Sequence, residues 1–550
     1  MATQTGRMDV PAGAAIAAPD SKDVMLFWGC FVAILCTSTA FITRAILVNT
    51  VWVTDFNLDK VKAAELFGAG IWPFAISIML FSFVIDQIGY RAAMFFSFVC
   101  YLVYAALALM AYSMIHSGGL AGAALIEAQK HAYGYLYTGS VILGLGNGTV
   151  EAFANPVVAT IFSREKIKWL NRLHAGWPAG LVVGGIITVA LSDAVKNDWR
   201  IVVYLLTGAA VVYLVMLATA KFPVQERVAS GTTYREMLQE FGVIGAFIAG
   251  FLVFRQLQEA LGWSPIITYV LLLASVAGYG AYSRSLGRPL MIVLCLIMMP
   301  LATTELGTDG AITGIMEEPM KTAGFNPAWV LIYTSAIMMV LRFFSAGPLE
   351  SRLTPVGLLA ACSALAIVGL NLLSVAHGLV FIFAAATLYG LGKSFFWPTM
   401  LGMVSEQFPR GGALTLNGIA AIGMLTVGII GGPMIGHMQE ISSRNAIEAN
   451  LPNVYQTISH ENSYVLGSYS AVDEAKVADL AKRDKSTSDK VQALDKTAKQ
   501  HALATMSIFP TIMLLSYICL FIYFKSRGGY RPVHISMEEL TGGVEGAVQG

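Results

Sequence analysis

The chain has 550 residues, of which 56% are hydrophobic and 13% are charged, and its formal net charge is +1. Soluble domains carry about 25% charged residues, so this composition excludes a water-soluble globular protein. A net charge near zero also gives no electrostatic basis for binding nucleic acid.

Long apolar runs recur along the whole chain and indicate the class of membrane protein. A helix needs about 20 apolar residues to cross the bilayer core, and lipid tolerates only helices and closed barrels. The runs are much longer than the ~10-residue alternating segments of a barrel. The sequence therefore predicts an all-α integral membrane protein.

Six spans are predicted in the first part of the chain, at residues 25–48, 64–85, 92–114, 132–162, 173–191 and 201–220. After a polar stretch, two further apolar runs follow at 241–254 and 266–282. Six more spans are predicted at 290–315, 328–346, 355–375, 379–404, 414–434 and 505–524, which makes about fourteen in total. The run at 241–254 is short and is followed by Arg255 and Glu259, so a lateral hairpin at the membrane interface is the alternative for this pair.

The spans divide the chain into a tail at 1–23, a six-helix bundle at 24–220, a linker with the inserted helix pair at 221–288, and a second six-helix bundle at 289–550 that ends in a tail at 525–550. Basic residues in short loops mark the cytoplasmic side of a membrane protein. They cluster in four loops, as Arg164, Lys166, Lys168 and Arg172, then Lys221, Arg227 and Arg235, then Arg284 and Arg288, and finally Lys525, Arg527 and Arg531. Both termini are therefore predicted to be cytoplasmic in the cell (inner) membrane, although Lys60 and Lys62 fall on the outer side.

A polar segment at 439–500 separates the last two spans and is predicted to be extracytoplasmic. Its later part has the spacing of a helix, with apolar residues at Val472, Val477, Leu480, Val491, Leu494 and Ala498. We interpret the segment as a solvated helical cap, and a cover over the bundle is the alternative.

The two six-helix bundles carry the same landmarks in the same order. The tetrapeptide GLGN at 144–147 recurs as GLGK at 390–393, and Pro156 and Pro398 follow. A Gly-rich span comes next in both bundles, and small residues at helical spacing let helices pack closely in lipid. A shared order of landmarks predicts two structurally related halves.

The chain resembles the major facilitator superfamily of membrane transporters. The resemblance rests on the two six-span halves and on the loop DQIGYR at 86–91, which is similar to the superfamily's D-R-x-G-R-R signature between spans two and three. The matching loop of the second half reads GPLESR at 347–352. In this superfamily such loops form a cytoplasmic charge latch between sliding helices, and a surface turn with an ion pair is the alternative. The residues that the resemblance assigns to the latch are Asp86, Gly89, Arg91, Glu350 and Arg352. Arg342 lies late in span eight, close to the loop with Glu350, and is assigned to the latch on that ground, with contact to solute as the equal alternative.

Within the superfamily, span four resembles the sugar–proton symporters of the fucose-permease branch. The segment EAFANP at 151–156 and the dipeptide LN at 170–171 are similar to that branch's E-x-x-x-N-P and L-N. The span-four Glu of the branch is implicated in proton coupling, and this role maps onto Glu151. The branch also uses an Asp in span one, where this chain carries Arg44 and no acid.

Three acids inside predicted spans are candidates for proton coupling, namely Glu151, Glu305 and Asp309. An ionisable group at membrane depth is costly and usually functional, and burial favours the neutral form of a carboxyl group. A structural carboxyl hydrogen-bonded to Asn155 is the alternative for Glu151. Glu305 and Asp309 lie one turn apart on one helix face. Because span seven is the counterpart of span one, Arg44 is predicted to pair with one of them, and binding roles without pairing are the alternative.

The candidates for solute binding are Arg44, Asn155, His174, Trp177, Lys393, Trp397 and Asn417. The two tryptophans have the flat apolar face and polar edge that suit a sugar ring. Trp397 also occupies the position of Glu151 in the internal repeat. A hydrogen-bonded place in the core is the alternative for His174.

These patterns predict a secondary active transporter that moves a small polar solute, with a monosaccharide as the leading candidate, by proton symport and alternating access. A proton-coupled antiporter that exports a metabolite or drug is the alternative, and a non-transporting membrane sensor is a further one. Na⁺ is the alternative coupling ion, and a monomer is expected. The sequence contains no H-E-x-x-H, no clustered His ligands and no G-x-x-x-x-G-K, so no enzyme activity, metal or cofactor is expected.

Overall fold

The computed structural model of the chain describes residues 21–49, 51–58, 60–116, 118, 121–350, 352–464 and 467–533. Residues 1–20 and 534–550 of the predicted tails lie outside the described residues. Helices dominate the described chain, and two halves of six spans each form its core.

The N-terminal half contains spans one to six. They comprise Ser21–Asn49 (one), Lys60–Gly68 with Trp72–Ile88 (two), Tyr90–His116 (three), Ala123–Ile161 (four), Lys166–His174 with Gly176–Ala190 (five) and Arg200–Ala218 (six). The short helices Val51–Asp55 and Ser192–Asn197 join spans, and Glu226–Ala229 lies in the linker.

The C-terminal half contains spans seven to twelve, and three of them include a π-helical turn. They comprise Pro289–Ala302, the π turn Thr303–Gly307 and Thr308–Ile315 (seven); Ala328–Val340 and the π turn Leu341–Ser345 (eight); Pro355–Leu373 (nine); Leu379–Lys393 and Phe396–Gln407 (ten); Gly412–Thr426, the π turn Val427–Gly431 and Gly432–Asn450 (eleven); and Ile508–Ser526 (twelve). The short helices Glu317–Thr322 and Ala346–Glu350 and the 3₁₀ turn Pro409–Gly411 lie between spans. Single π-helical turns interrupt α-helices mostly at functional sites.

Twelve helices in the described part of the chain are long and apolar enough to cross a membrane. The predicted spans outside that set are spans four and five. Span four carries several polar residues, and span five is divided at Ala175 into pieces of 9 and 15 residues. Span four nevertheless packs against spans one, two and three, and span five packs against spans one and four. The predicted all-α membrane fold is therefore confirmed, with twelve of the fourteen predicted spans meeting the length and hydropathy of a membrane span among the described residues.

The internal repeat seen in the sequence is also present in the packing. In the N-terminal half, spans three and four, two and four, one and five, and three and six lie side by side. The equivalent pairs of the C-terminal half are spans nine and ten, eight and ten, seven and eleven, and nine and twelve. The two halves meet mainly through spans two and eleven, spans five and eight, and spans five and ten.

Two glycines of the repeated tetrapeptide occupy equivalent close contacts. A Cβ on Gly146 would lie 2.7 Å from Cβ of Cys100 in span three. A Cβ on Gly392 would lie 2.5 Å from the backbone nitrogen of Ala366 in span nine. The repeat therefore reflects the same helix contact, made once in each half.

The inserted helix pair consists of Tyr234–Leu261 and Pro265–Ser283, and both helices have the length and composition of membrane spans. The first helix is longer than the apolar run that predicted it because it begins in the polar linker and bends at Gly242, whose φ is +70°. This helix packs against spans seven and eleven. Spanning helices, and not an interfacial hairpin, fit these lengths.

The polar segment between spans eleven and twelve folds into a small domain, here called the cap domain (the described part of residues 439–506). It contains the end of the helix Gly432–Asn450, the helices Tyr455–Ile458, Glu474–Arg483 and Lys485–Met506, and the antiparallel strands β1 (Ser459–Tyr464) and β2 (Gly467–Val472). Its own apolar core is formed by Ile447, Tyr455, Ile458, Val477 and Val491. The predicted helical spacing is confirmed from Val477 to Ala498, but it was wrong for Val472, which lies in strand β2 of a hairpin that was not predicted.

The cap domain is attached to the C-terminal half at one end of the bundle, here called the cap face. The amide of Gln500 donates to the carbonyls of Leu373 and Ala376 at the end of span nine, at 3.0 and 2.9 Å. Lys496 pairs with Glu318 beyond span seven at 3.1 Å. The opposite end, where the loops rich in Lys and Arg lie, is here called the basic face.

At the basic face, the chain after span twelve returns to the end of span ten. The hydroxyl of Tyr530 donates to a carboxylate oxygen of Glu406 at 2.8 Å, and the backbone N–H of Val533 donates to the Glu406 carbonyl at 2.9 Å. In the adjacent turn, Lys166 of the N-terminal half donates to the carbonyl of Ser405 at 3.3 Å. The segment Gly528–Val533 therefore lies beside a contact that joins the two halves.

Candidate functional site: a cavity between the two halves

Three polar side chains of the N-terminal half form a buried chain of hydrogen bonds. Glu151 and Asn155 lie one turn apart in span four, and the Asn155 amide donates to Oε2 of Glu151 at 2.9 Å. Nε2 of His174 lies 2.9 Å from Oδ1 of Asn155. Because that oxygen is an acceptor, Nε2 carries the proton in this arrangement. The chain therefore runs from His174 through Asn155 to the Glu151 carboxyl group.

The C-terminal half presents a buried ion pair to the same place. Nη2 of Arg342 lies 2.6 Å from Oε1 of Glu305, and the side chains are only 1% and 2% exposed. The other carboxylate oxygen of Glu305 accepts the backbone N–H of Trp397 at 3.1 Å. Both members of the pair lie in π-helical turns, Thr303–Gly307 and Leu341–Ser345.

Arg342 also connects the two halves. Its Nε donates to the carbonyl of Ser394 in the C-terminal half at 2.5 Å. Its Nη1 donates to the carbonyl of His174 in the N-terminal half at 3.1 Å. One guanidinium group therefore binds the coupling candidate Glu305 and the backbone of the N-terminal half.

A small cavity lies between these groups. It is lined by Phe74, Ile78, Glu151, His174, Trp177, Glu305, Leu306, Arg342, Trp397 and Met424. The space open to the centre of a water molecule is about 20 Å³, which is room for roughly one water. The lining combines carboxyl groups, a guanidinium and two indole rings, the kinds of groups that orient small polar molecules. The chain is closed around its centre in this conformation.

The structure thus brings together five of the residues predicted for coupling or solute binding as cavity lining, namely Glu151, His174, Trp177, Glu305 and Trp397. Asn155 is not in the lining, but its amide donates a hydrogen bond to Glu151, which is. Asn417 instead joins the halves, since its amide donates to the carbonyl of Ala152 at 2.9 Å. Asp309 and Lys393 form a second buried ion pair with each other, beside the lining and not in it.

Two predictions about charged residues are corrected by the structure. Arg44 was expected to pair with Glu305 or Asp309, but its Nη2 donates to the carbonyl of Leu66 at 2.7 Å. That carbonyl lies in the last turn of the helix Lys60–Gly68, where a cation is favourable. Arg342 was assigned to the latch because it is close in sequence to the loop at 347–352, with contact to solute as the equal alternative, but it lies in the cavity lining and pairs with Glu305.

The remaining latch residues surround the linker at the basic face. Nη2 of Arg227 lies 2.6 Å from Oδ2 of Asp86, and both side chains are nearly buried. Arg91 donates to the carbonyl of Ala220 at 3.2 Å, and Gly89 ends span two with a φ of +82° that favours glycine. The side chain of Glu350 lies outside the described residues, and Arg352 is exposed. Sequence reasoning missed Arg227, although its position in the basic loop after span six was a usable signal.

Comparison with known proteins shows the family to which the chain belongs. The family described as "Major Facilitator Superfamily" matches residues 29–315, which is more than half of the chain. No curated protein matches the sequence. In fold, the chain is similar to the proton:xylose symporter XylE of E. coli, with a TM-score of 0.57 and 13% identity over 92% of this chain and 96% of that one.

Two further solved structures share the fold. One is the E. coli fucose:proton symporter FucP, with a TM-score of 0.50 and 15% identity over 88% of this chain and 98% of that one. Another is the human organic anion transporter MFSD10, with a TM-score of 0.51 and 11% identity over 91% of this chain and all of that one. With its two six-span halves, its closed central cavity and the family match to residues 29–315, the chain belongs to the major facilitator superfamily of membrane transporters.

Proposed function

We propose that the protein is a proton-coupled symporter of a small polar solute, with a monosaccharide as the leading candidate. The observation that carries the proposal is the buried carboxyl group of Glu151 at the wall of a cavity shared by both halves. Transporter sites lie near the bilayer midplane at the interface of the repeats. The likeness in fold to xylose and fucose symporters is consistent with this class.

In the proposed cycle, the solute binds between Trp177 and Trp397, and the proton binds Glu151. The cavity holds roughly one water, so the two halves must separate for the solute to enter. Contacts between the halves then break in turn, such as those of Arg342 with His174 and Lys166 with Ser405. Proton and solute are coupled because each biases the same conformational equilibrium.

The direct test is uptake by the purified protein reconstituted into vesicles, with a panel of monosaccharides and an imposed pH gradient. Uphill accumulation that requires the gradient supports symport. If proton influx instead drives solute out of the vesicles against the solute gradient, the protein is an antiporter. If only a sodium gradient drives accumulation, the coupling ion is Na⁺ and not the proton.

The basic face is proposed to be cytoplasmic, which places the cap domain outside. Lys482 of the cap domain is 77% exposed, so Lys482→Cys in a Cys519→Ser background is a suitable probe. The other five cysteines are buried. We expect an impermeant thiol reagent to label this cysteine in intact cells. Labelling that requires permeabilised cells would reverse the orientation.

Asp86 and Arg227 are proposed to act in the conformational cycle, since they lie at the basic face and outside the cavity lining. Asp86→Asn removes one ionic partner of a nearly buried pair, worth about 1.5–3 kcal/mol. We expect transport to slow by about tenfold or more, with solute affinity changed less than about twofold.

Arg227→Gln is the matched variant for Asp86→Asn. It should slow transport similarly, and the double variant should be no slower than either single one, because both remove the same interaction. A large loss of solute affinity at normal turnover would place Asp86 in binding instead.

A further inference from the structure

A second and much larger cavity lies at the cap face, between the cap domain and the outer end of span seven. The space open to the centre of a water molecule is about 520 Å³, within the range of small-molecule pockets. Its walls come from the end of span seven, the helix Glu317–Thr322, strand β2 and the helices Glu474–Arg483 and Lys485–Met506. We propose that this cavity is a second binding site, which takes a neutral, hydroxyl-bearing small molecule such as a sugar or polyol.

One wall of the cavity is apolar and well supported. Ile315, Val472, Val477 and Val491 line it, and Val477 and Val491 also belong to the core of the cap domain. This wall is therefore fixed by the packing of the cap domain. It suits the apolar C–H groups of a sugar or polyol.

The opposite wall carries charges that balance one another. Lys496 pairs with Glu318 at 3.1 Å and Lys499 with Asp495 at 2.7 Å. Glu317 pairs with Lys321 at 2.5 Å, and the hydrogen bond from Lys321 holds the pKa of Glu317 below its usual range. Each of the three carboxylates in the lining therefore has an ammonium partner, although Lys321 itself lies outside the lining, so a ligand needs no net charge.

Hydrogen-bonding capacity remains on this wall after the pairs have formed. Oδ1 of Asp495 is buried and has no hydrogen-bond partner among the described residues. A buried acceptor without a partner is uncommon in proteins, and a ligand hydroxyl would satisfy it once the side chain turns this oxygen towards the cavity, since the atom is closed to solvent in this conformation. The amides of Gln439 and Gln492 also line the cavity and can both donate and accept.

The cavity is connected to the central site through span seven. Gly314 and Ile315 in its wall end the same span that carries Glu305. Ligand binding to the proposed site is independent of the proposed function, whereas any effect of the ligand on uptake rests on it.

The test uses Ala478→Trp, which fills the cavity from an exposed position on the helix Glu474–Arg483. Lys482→Trp places the same indole on the same helix at a position outside the cavity lining. Binding of a panel of aldoses, ketoses and alditols to the purified full-length chain is measured by ligand-observed NMR. We expect at least one compound to bind at least tenfold more weakly to Ala478→Trp than to the wild type and to Lys482→Trp.

Asp495→Leu provides a second variant of similar shape that removes the acceptor, and it should weaken binding of the same compound. Binding of that compound should persist in Trp397→Ala, which alters the central cavity. The proposal is overturned if no compound binds, or if every compound that binds is unaffected by Ala478→Trp and Asp495→Leu. Uptake driven by a pH gradient is measured in parallel, so failure of the transport proposal appears there and not in these binding data.

Discussion

We expect Glu151→Gln to keep solute binding and solute exchange between the two sides of the membrane while losing uphill accumulation. The amide has the shape of the protonated carboxyl group and can still accept the hydrogen bond from Asn155. It cannot release a proton, so the carrier cycles as if permanently loaded. One proton carried per solute converts a gradient of one pH unit, about 1.4 kcal/mol, into roughly tenfold accumulation. The variant should reach a ratio of about one.

The measurement compares two assays on the same vesicles, namely counterflow of labelled solute and accumulation under an imposed pH gradient. Glu127→Gln is the matched control, since Glu127 lies in the same helix but its side chain is 63% exposed. This control should retain both activities. If Glu151→Gln still concentrates solute, coupling resides elsewhere, and Glu305 and Asp309 become the next candidates.

Removal of one partner of the Glu305–Arg342 pair should have the largest effect on stability. Arg342→Met leaves a carboxylate buried without its cation, and breaking a buried pair in this way costs about 3–5 kcal/mol. Glu305→Gln leaves the guanidinium without its anion and should have a similar effect. The double variant removes both charges and should recover most of the lost stability, because replacing a whole buried pair is often nearly neutral.

Unfolding by SDS in mixed micelles provides the measurement. Lys321→Met, which breaks the exposed pair with Glu317, is the control and should change stability by about 0–1 kcal/mol. If the losses of the two single variants simply add in the double variant, Glu305 and Arg342 do not stabilise the fold as a pair. Transport should stay impaired in the double variant, since the bridge from Arg342 to His174 is also lost.

Much of the fold could be predicted from the sequence, whereas the charge pairing could not. Apolar length and the repeated tetrapeptide fix where each span lies along the chain and which half it belongs to. The contact of Glu151 with Asn155 was also within reach, because residues one turn apart share a helix face. These features are local, or they repeat along the sequence.

The partners of Arg44, Glu305 and Arg342 depend instead on how each helix is rotated about its axis. Hydropathy carries little information on that rotation when all sides of a helix are apolar. The π turns at 303–307 and 341–345 change the rotation again. The pairing of Glu305 with Arg342 therefore could not be predicted from the internal repeat, which had suggested Arg44 as the partner.

The docking of Gly528–Val533 on Glu406 has a practical consequence for expression work. A version of the chain shortened to the end of span twelve would lose the Tyr530 hydroxyl and the Val533 N–H as partners of Glu406. It would thereby expose the Glu406 carboxyl group next to the contact between Lys166 and Ser405, which joins the two halves. Truncation borders and cleavable tags are best placed beyond Val533, so that purification does not itself alter the balance between open and closed forms.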